Sequence, residues 1–585
     1  MTISLSSPNP AFLVGALDPP APDHVQLSID GHEVSVPRGT TLWDAARRAG
    51  IDIPVLCHDP DMEPVAVCRV CVVEVEGSRV LPAACIRQCE AGMVVRTDTP
   101  RVRNSKRMVT ELLMADHPSP CTKQRLSGSC ELENLAETLG VSHPRLPATR
   151  RWQAEDREPH AAPAERLERG EAGAPATDAL SPAAGASTGK GNGRKRAADA
   201  DPPGTLAAHP GPQSSAPETR PARPRLPFDL SSPVIAVDHS ACILCDRCIR
   251  GCDWIQVNEV IGRTGKGFEA RIAFDTDRPM GDSTCVACGE CMARCPTGAL
   301  TDKSLVAPIQ MEKVRPVESV CPYCGVGCEI TMHVQENRVV RVTGRKEGPT
   351  NLGRLCVKGR YGFDYSSHPQ RLTVPLIRRA EYYPKGPLSA DVSEQGDYRR
   401  KKKGEPSVDY RHLLPAFREA TWDEALDLCA QSFLRIKREH GPRALAGFGS
   451  AKCSNEDNYL FQKLVRVAFG TNNVDHCTRL CHASSVAALM ECIGSGSVSN
   501  PVADVALAEV CLIIGSNTTE NHPVASSFIK QAVKRGTTLI VMDPRRPEMA
   551  RHAHHYLRFK PGTDVALLNS IMHVILREGL QDDEF

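Results

Sequence analysis

The spacing of the cysteines constrains this chain more than any other feature. It has 25 in 585 residues, and most of those before residue 360 stand in short clusters. Cys242, Cys245, Cys248 and Cys252 form a C-x-x-C-x-x-C-x-x-x-C run; Cys285, Cys288, Cys291 and Cys295 repeat it, closed by Pro296. Cys321, Cys324 and Cys328 make a third group, with Cys356 downstream. Cys57, Cys68, Cys71 and Cys85 are spaced C-x10-C-x2-C-x13-C. Thiolates at such spacings hold iron–sulfur clusters. Several clusters in a row make a wire for electrons.

The bulk properties exclude other classes. A net charge of +1 leaves no footprint for a nucleic-acid partner. Purely apolar runs such as Val510–Ile514 are far too short to span a bilayer, so no membrane insertion is expected. The first twenty residues carry neither a basic region followed by an apolar stretch nor a twin-arginine signal, so a cytoplasmic location is expected. In a reducing compartment, grouped cysteines point to metal rather than disulfides.

The chain reads as multidomain, mixing α/β and α+β units. Residues 1–23 form a tail. Residues 24–100 read as a small α/β unit, with strands at Val25–Ile29 and Val34–Val36, a helix at Thr41–Ala49 and a cysteine-bearing loop. Residues 101–144 begin with a basic helix over Arg101–Ala115. Residues 145–226 are rich in Ala, Pro, Gly and charge, a composition that cannot bury a core, and read as a disordered linker. The doubled cysteine run occupies 233–305 and the third cysteine unit 314–380. A charged loop with Lys401–Lys403 precedes residues 413–585, where strands (Ala444–Phe448, Val510–Ile514, Thr538–Met542) alternate with helices (Asn455–Phe469, Pro523–Arg535). That βαβ series predicts a parallel sheet with ligands beyond the carboxyl ends of its strands.

In two-cluster ferredoxins the fourth cysteine of each run crosses to the other cluster. Cys242, Cys245, Cys248 and Cys295 are thus expected at one 4Fe–4S cluster, and Cys285, Cys288, Cys291 and Cys252 at the second. Cys57, Cys68, Cys71 and Cys85 suit a 2Fe–2S cluster, and Cys321, Cys324, Cys328 and Cys356 a third 4Fe–4S cluster. From spacing alone a structural zinc remains open at these last two sites. Cys89 is a spare thiol.

The stretch holding His117, Cys121 and Cys130 resembles the one-His, three-Cys 4Fe–4S site of the large iron–sulfur subunit of respiratory complex I. That pattern has a cysteine where this chain has Gln124, and glutamine is a poor iron ligand. Two readings stand: a fourth 4Fe–4S cluster, or an empty site kept for folding.

From Cys321 the chain resembles molybdenum or tungsten bis-pterin oxidoreductases, on Cys321-Pro322-Tyr323-Cys324-Gly325-Val326-Gly327-Cys328 and Arg354-Leu355-Cys356-Val357-Lys358-Gly359-Arg360. The resemblance implies a β-grasp 2Fe–2S domain, the His/Cys segment, a two-cluster ferredoxin and a partial molybdopterin domain of Rossmann-like α/β build. It also implies that Lys358 lies between cluster and pterin. Asn473-Val474-Asp475-His476-Cys477-Thr478-Arg479-Leu480-Cys481-His482 narrows the similarity to formate dehydrogenases, and the domain order to the alpha subunit of the cytoplasmic NAD-dependent type. By that resemblance Cys481 ligates the metal, His482 handles the proton, and electrons leave for separate flavin- and NAD-binding subunits as formate becomes carbon dioxide. The residues agree in type: a thiolate suits such a metal, and an imidazole takes a proton near neutral pH. Alternatively, Cys477 and Cys481 are core residues of a helix, or join His476 and His482 around zinc. The other functional reading is an iron–sulfur electron-transfer subunit of the complex I or hydrogenase diaphorase type with a non-catalytic or truncated pterin domain.

The loops Gly515–His522 and Asp543–Arg546 suit anion and nucleotide binding. The resemblance assigns Gly515, Asn517, Glu520, His522, Asp543, Arg545, Gly562 and Asp564 to the guanosine ends of a bis-molybdopterin guanine dinucleotide. It also implies that relatives continue well past Phe585, carrying more of the cofactor cradle and a formate-binding arginine, so the chain reads as C-terminally truncated.

Overall fold

A computed structural model describes residues 23–142, 228–382 and 414–584, except 304, 306–308, 369–370 and 498–499. The expected linker, nearly all of the expected tail, and Lys401–Lys403 lie outside the described residues.

Strand β1 (His24–Ile29) pairs antiparallel with β2 (His32–Pro37) around a tight turn, Asp30–Gly31, where both residues have positive φ. The Leu42–Arg48 helix starts at Thr41, whose side chain accepts from the Asp44 amide. Asp44 in its first turn and Arg47 and Arg48 in its last complement the helix dipole. It buries Leu42, Trp43, Ala45 and Ala46, and the Trp43 Nε1 donates to the Ile53 carbonyl at 2.9 Å. Strands β3 (Glu74–Val75) and β4 (Val94–Arg96) complete a sheet of order β2-β1-β4-β3, with β1 and β4 parallel. The Pro100–Ala115 helix follows, capped by Thr99 with proline at its first position, and packs against the Glu131–Thr138 helix.

The doubled run folds as a duplicate. Strands β5 (Ile235–Val237), β6 (Ile261–Thr264), β7 (Arg271–Phe274) and β8 (Leu300–Asp302) form two antiparallel pairs, β5 with β8 and β6 with β7. Each cysteine run enters a short helix, Arg247–Arg250 or Glu290–Arg294. Leu244 and Ala287 both take φ 52°, and Asp246 and Gly289 take φ 60° and 73°. The two loops therefore repeat a left-handed conformation at equivalent places.

Strands β9 (Arg315–Val320), β10 (Glu329–Gln335) and β11 (Arg338–Gly344) form an antiparallel meander, followed by the Val357–Tyr361 helix. Next, β12 (Leu376–Arg378) pairs with β13 (Phe417–Glu419). The βαβ region is parallel as expected, but divides into two sheets. Strand β14 (Gly447–Gly449) pairs with β15 (Val474–His476); β16 (Val510–Ile514), β17 (Thr538–Met542) and β18 (His555–Leu557) form the other, in that order. The strand expected from Ala444 begins only at Gly447, because Gly441 and Pro442 open a single 3-10 turn there.

One buried cluster runs through the first four units: Leu56, Cys57 and Cys68, then Cys121, Cys130 and Leu132, then Cys245, Cys291 and Cys295, ending at Tyr361. Beside it, buried Arg294 pairs with Asp59 at 2.7 Å, Asp61 at 2.6 Å and Glu290 at 2.8 Å, and Glu290 pairs with Arg360 at 3.2 Å.

Candidate functional site: a chain of thiol sites ending at a parallel sheet

Cys57, Cys68, Cys71 and Cys85 are all buried, on a loop that turns through positive φ at Ala66 and Arg69. They come together as two touching pairs. Cys71 and Cys85 Sγ atoms are 3.5 Å apart, and Cys57 and Cys68 are hydrogen-bonded to each other. The bond from Cys57 holds the Cys68 thiol down at about 6. Two irons, each taking two thiolates, fit this pairing. Cys89 stands apart, and burial pushes it up to about 11.

The doubled run is arranged differently. Cys242, Cys245, Cys248 and Cys295 surround one cavity, floored by Ile272, Ala299 and Leu300. Cys252 shares its electrostatic environment with Cys285, Cys288 and Cys291 instead. Burial pushes Cys242 and Cys288 up to about 12, and Cys248 and Cys291 well above the usual thiol range. Buried thiols of this kind ionise only against a bound cation, which suits the crossed pair of four-iron clusters. Cys321, Cys324, Cys328 and Cys356 likewise ring a cavity, with Tyr323, Leu355, Gly359, Pro523 and Val524. The last two belong to the Pro523–Lys534 helix of the parallel-sheet unit.

His117, Cys121 and Cys130 are buried and in contact, and Glu133 joins them. Burial opposes charge on Glu133, but hydrogen bonds from His117 and the Cys121 amide hold its carboxyl down at about 2. Glu133 was missed by sequence reasoning: nothing in its spacing marks it among the acids of an ordinary helix.

Lys358 is half-buried on the Val357–Tyr361 helix. Its Nζ donates to the Glu520 carbonyl at 3.2 Å, bridging the cysteine unit and the loop after β16. Strands β16, β17 and β18 end in register at Ile514, Met542 and Leu557, so the loops holding Gly515, Asn517, Glu520 and His522, then Asp543 and Arg545, then Gly562 and Asp564 leave one edge side by side. Gly515 and Gly562 take φ 60° and 81°. A Cβ at either position would meet nothing within 4 Å, leaving the backbone open to a ligand. Asp543 is buried, its Oδ1 accepting from the Arg545 amide at 2.8 Å. Such an edge fits the phosphate and nucleotide ends of a pterin dinucleotide.

Cys481 is exposed at the end of the Thr478–Cys481 helix, and His482 is half-buried beside it. Among the described residues, neither side chain has a hydrogen-bond partner, and the Lys358 Nζ bonds to Glu520 rather than to either of them. Cys477 accepts from the Ala451 amide at 3.2 Å and His476 Nδ1 from the Thr478 amide at 3.1 Å, so these two brace the turn.

Comparison with known families follows the same order along the chain. Residues 23–100 match a 2Fe-2S iron-sulfur cluster binding domain, and 106–145 an NADH-ubiquinone oxidoreductase-G iron-sulfur binding region. Residues 239–299 match a 4Fe-4S dicluster domain, and 314–368 the molybdopterin oxidoreductase Fe4S4 domain. Residues 371–584 match molybdopterin oxidoreductase. The chain thus carries a 2Fe–2S domain, 4Fe–4S segments and a molybdopterin oxidoreductase domain in sequence. It is 28% identical to "Probable oxidoreductase YjgC" of Bacillus subtilis (strain 168), over 96% of this chain and 50% of that protein. It is 27% identical to a "Putative formate dehydrogenase" of Staphylococcus aureus (strain USA300), with the same coverage. The chain therefore spans about half the length of the curated relatives it matches. Among solved structures, an NAD+-reducing NiFe-hydrogenase in the H2-reduced state aligns at 22% identity over 49% of this chain and 91% of that one, with a TM-score of only 0.34. No helix among the described residues is long and apolar enough to cross a membrane.

Proposed function

We propose that this chain is the catalytic, electron-collecting part of a formate dehydrogenase of the cytoplasmic NAD-linked type. Formate would give carbon dioxide, one proton and two electrons, and the electrons would leave through the cysteine sites toward a flavin- and NAD-binding partner. The observation that carries this reading is the Lys358–Glu520 bridge, which holds the Cys321–Cys356 site against the loop expected to cradle the pterin. The names of the relatives and the Cys481–His482 pair favour formate as the substrate.

A molybdenum or tungsten pterin bound at the β16–β18 edge would supply the two-electron centre. Gly515, Asn517, Asp543 and Arg545 would hold its nucleotide ends. Cys481 offers the thiolate ligand, and His482 offers an imidazole to take the proton leaving formate. Lys358 puts a fixed cation beside the path by which charge leaves.

The test is formate-dependent dye reduction by the metal-loaded chain. The wild type is expected to be active, Cys481→Ala inactive, and His482→Ala slower by about 10²-fold or more. A fully loaded wild type indifferent to formate would sink the reading.

A further inference from the structure

The sequence resemblance and the match over 106–145 both point to an iron–sulfur cluster at His117, Cys121 and Cys130. The residues present do not fit one. We propose that this site holds a single tetrahedral divalent ion of the Zn2+ class, with His117, Cys121, Cys130 and Glu133 as its four ligands.

Compactness is the first ground. The four ligand atoms all lie within 4.8 Å of one another. Cys130 Sγ is 3.6 Å from His117 Nε2, and Glu133 Oε1 is 3.3 Å from the same nitrogen. Zinc bonds of about 2.0–2.3 Å put tetrahedral neighbours roughly 3.3–3.8 Å apart. A four-iron cubane instead sits between its ligands and holds them apart at separate corners. The rest of the molecule serves as the control. Cys242, Cys245, Cys248 and Cys295 stand around a cavity, as do Cys321, Cys324, Cys328 and Cys356. Thiols touch within the 57–85 site, where two thiolates would share one iron, and here.

The identity of the fourth ligand is the second ground. Gln124 occupies the place of the missing cysteine but is tied up locally. Its Oε1 accepts from the Cys130 amide at 2.9 Å and its Nε2 donates to Asn134 Oδ1 at 3.0 Å. Glu133 reaches in from the next helix. Its Oε1 also accepts from the Cys121 amide, and its Oε2 from Ser119 Oγ, each at 2.8 Å, which fixes the carboxylate. One imidazole, two thiols and one carboxylate, all turned inward and largely buried, form a closed N/S/O set of the kind structural zinc takes.

Such an ion would be a staple rather than a station. It would tie the loop after the Pro100–Ala115 helix to the Glu131–Thr138 helix, next to the ferredoxin unit. There the Glu131 amide donates to the Pro296 carbonyl at 2.8 Å, and a Cβ on Gly298 would come 2.9 Å from Cys121 Sγ. Zinc has no redox chemistry, so the wire would have one stop fewer than the family match implies.

The experiment is metal analysis of the full chain purified anaerobically from medium supplied with iron and zinc. The expected content is one zinc and about 14 irons, the sum of one 2Fe–2S and three 4Fe–4S clusters. Cys130→Ser is expected to abolish the zinc and the nearly isosteric Glu133→Gln to let a chelator remove it, both with iron unchanged. Cobalt exchanged for zinc should give the visible bands of tetrahedral thiolate ligation in wild type and lose them in Cys130→Ser. Iron near 18 with no zinc, zinc that resists the chelator in both variants, or about 14 irons without zinc would each overturn the proposal.

Discussion

Lys530 shows how a single side chain can carry a charge into the core at a cost. Its Nζ donates to the Val257 carbonyl at 2.8 Å and to Asn258 Oδ1 at 2.9 Å, yet no carboxylate among the described residues bonds to it. Burial therefore pulls its pKa down from 10.5 to about 8. Between those values the unfolded chain binds more protons than the folded one, so the stability attributable to this lysine rises with pH. The gap between wild type and Lys530→Met should shift toward wild type by up to roughly 3 kcal/mol from pH 8 to 10.5, read by urea unfolding at several pH values. A flat gap would mean that the ammonium is not desolvated. Residues of this kind were invisible in the sequence, because a buried lysine has no spacing to announce it. The cysteines were legible for the opposite reason: a cluster fixes the number of its thiolates, and short loops fix their intervals.

At the scale of elements, the Pro523–Lys534 helix joins the parallel sheet to the rest of the protein. Val524 and Phe528 pack on Cys321, Cys328 and Leu355. Buried Arg354 stacks 3.9 Å over the Phe528 ring and donates to Gln531 Oε1 at 3.0 Å. Gln531 in turn donates to the Trp254 carbonyl of the ferredoxin unit. The helix itself was legible from the alternation of strands and helices, but its partners were not, since Arg354 and Phe528 are far apart in sequence. A second joint lies at Gly289. It has φ 73°, and any Cβ there would collide with the Tyr361 hydroxyl and the Arg360 side chain. Gly289→Ala is expected to lower the melting temperature and to cost about four irons per chain, as the Cys285–Cys291 loop loses its shape. Normal iron content and an unchanged melt would show that the joint can yield.

The cysteine units are held together by charge as well as by their shared core. Arg294 gathers Asp59, Asp61 and Glu290, and so links the 2Fe–2S unit to the ferredoxin across more than two hundred residues of sequence. Arg294→Met takes one of two cations from each of Asp59, Asp61 and Glu290, which keep Arg247, Lys346 and Arg360, and is expected to cost roughly 3 kcal/mol, seen as an earlier thermal transition of the first unit. An unchanged transition would mean that the apolar core alone joins the units. The order of the units was readable from the cysteine runs and agrees with the family matches. Their mutual packing was not, because it depends on contacts between units whose sequences carry no shared period.

The crossed lining of the doubled run also bears on synthesis. A ribosome releases Cys242, Cys245 and Cys248 early, but their cavity lacks its fourth wall until Cys295 emerges. The second set waits for Cys291, only a few residues sooner. Neither site is complete on a half-made unit, so neither cluster can be finished before Cys291 and Cys295 have emerged. A premature stop between the two runs would remove four of the eight ligands and leave the other four without a complete site, so not one cluster could form.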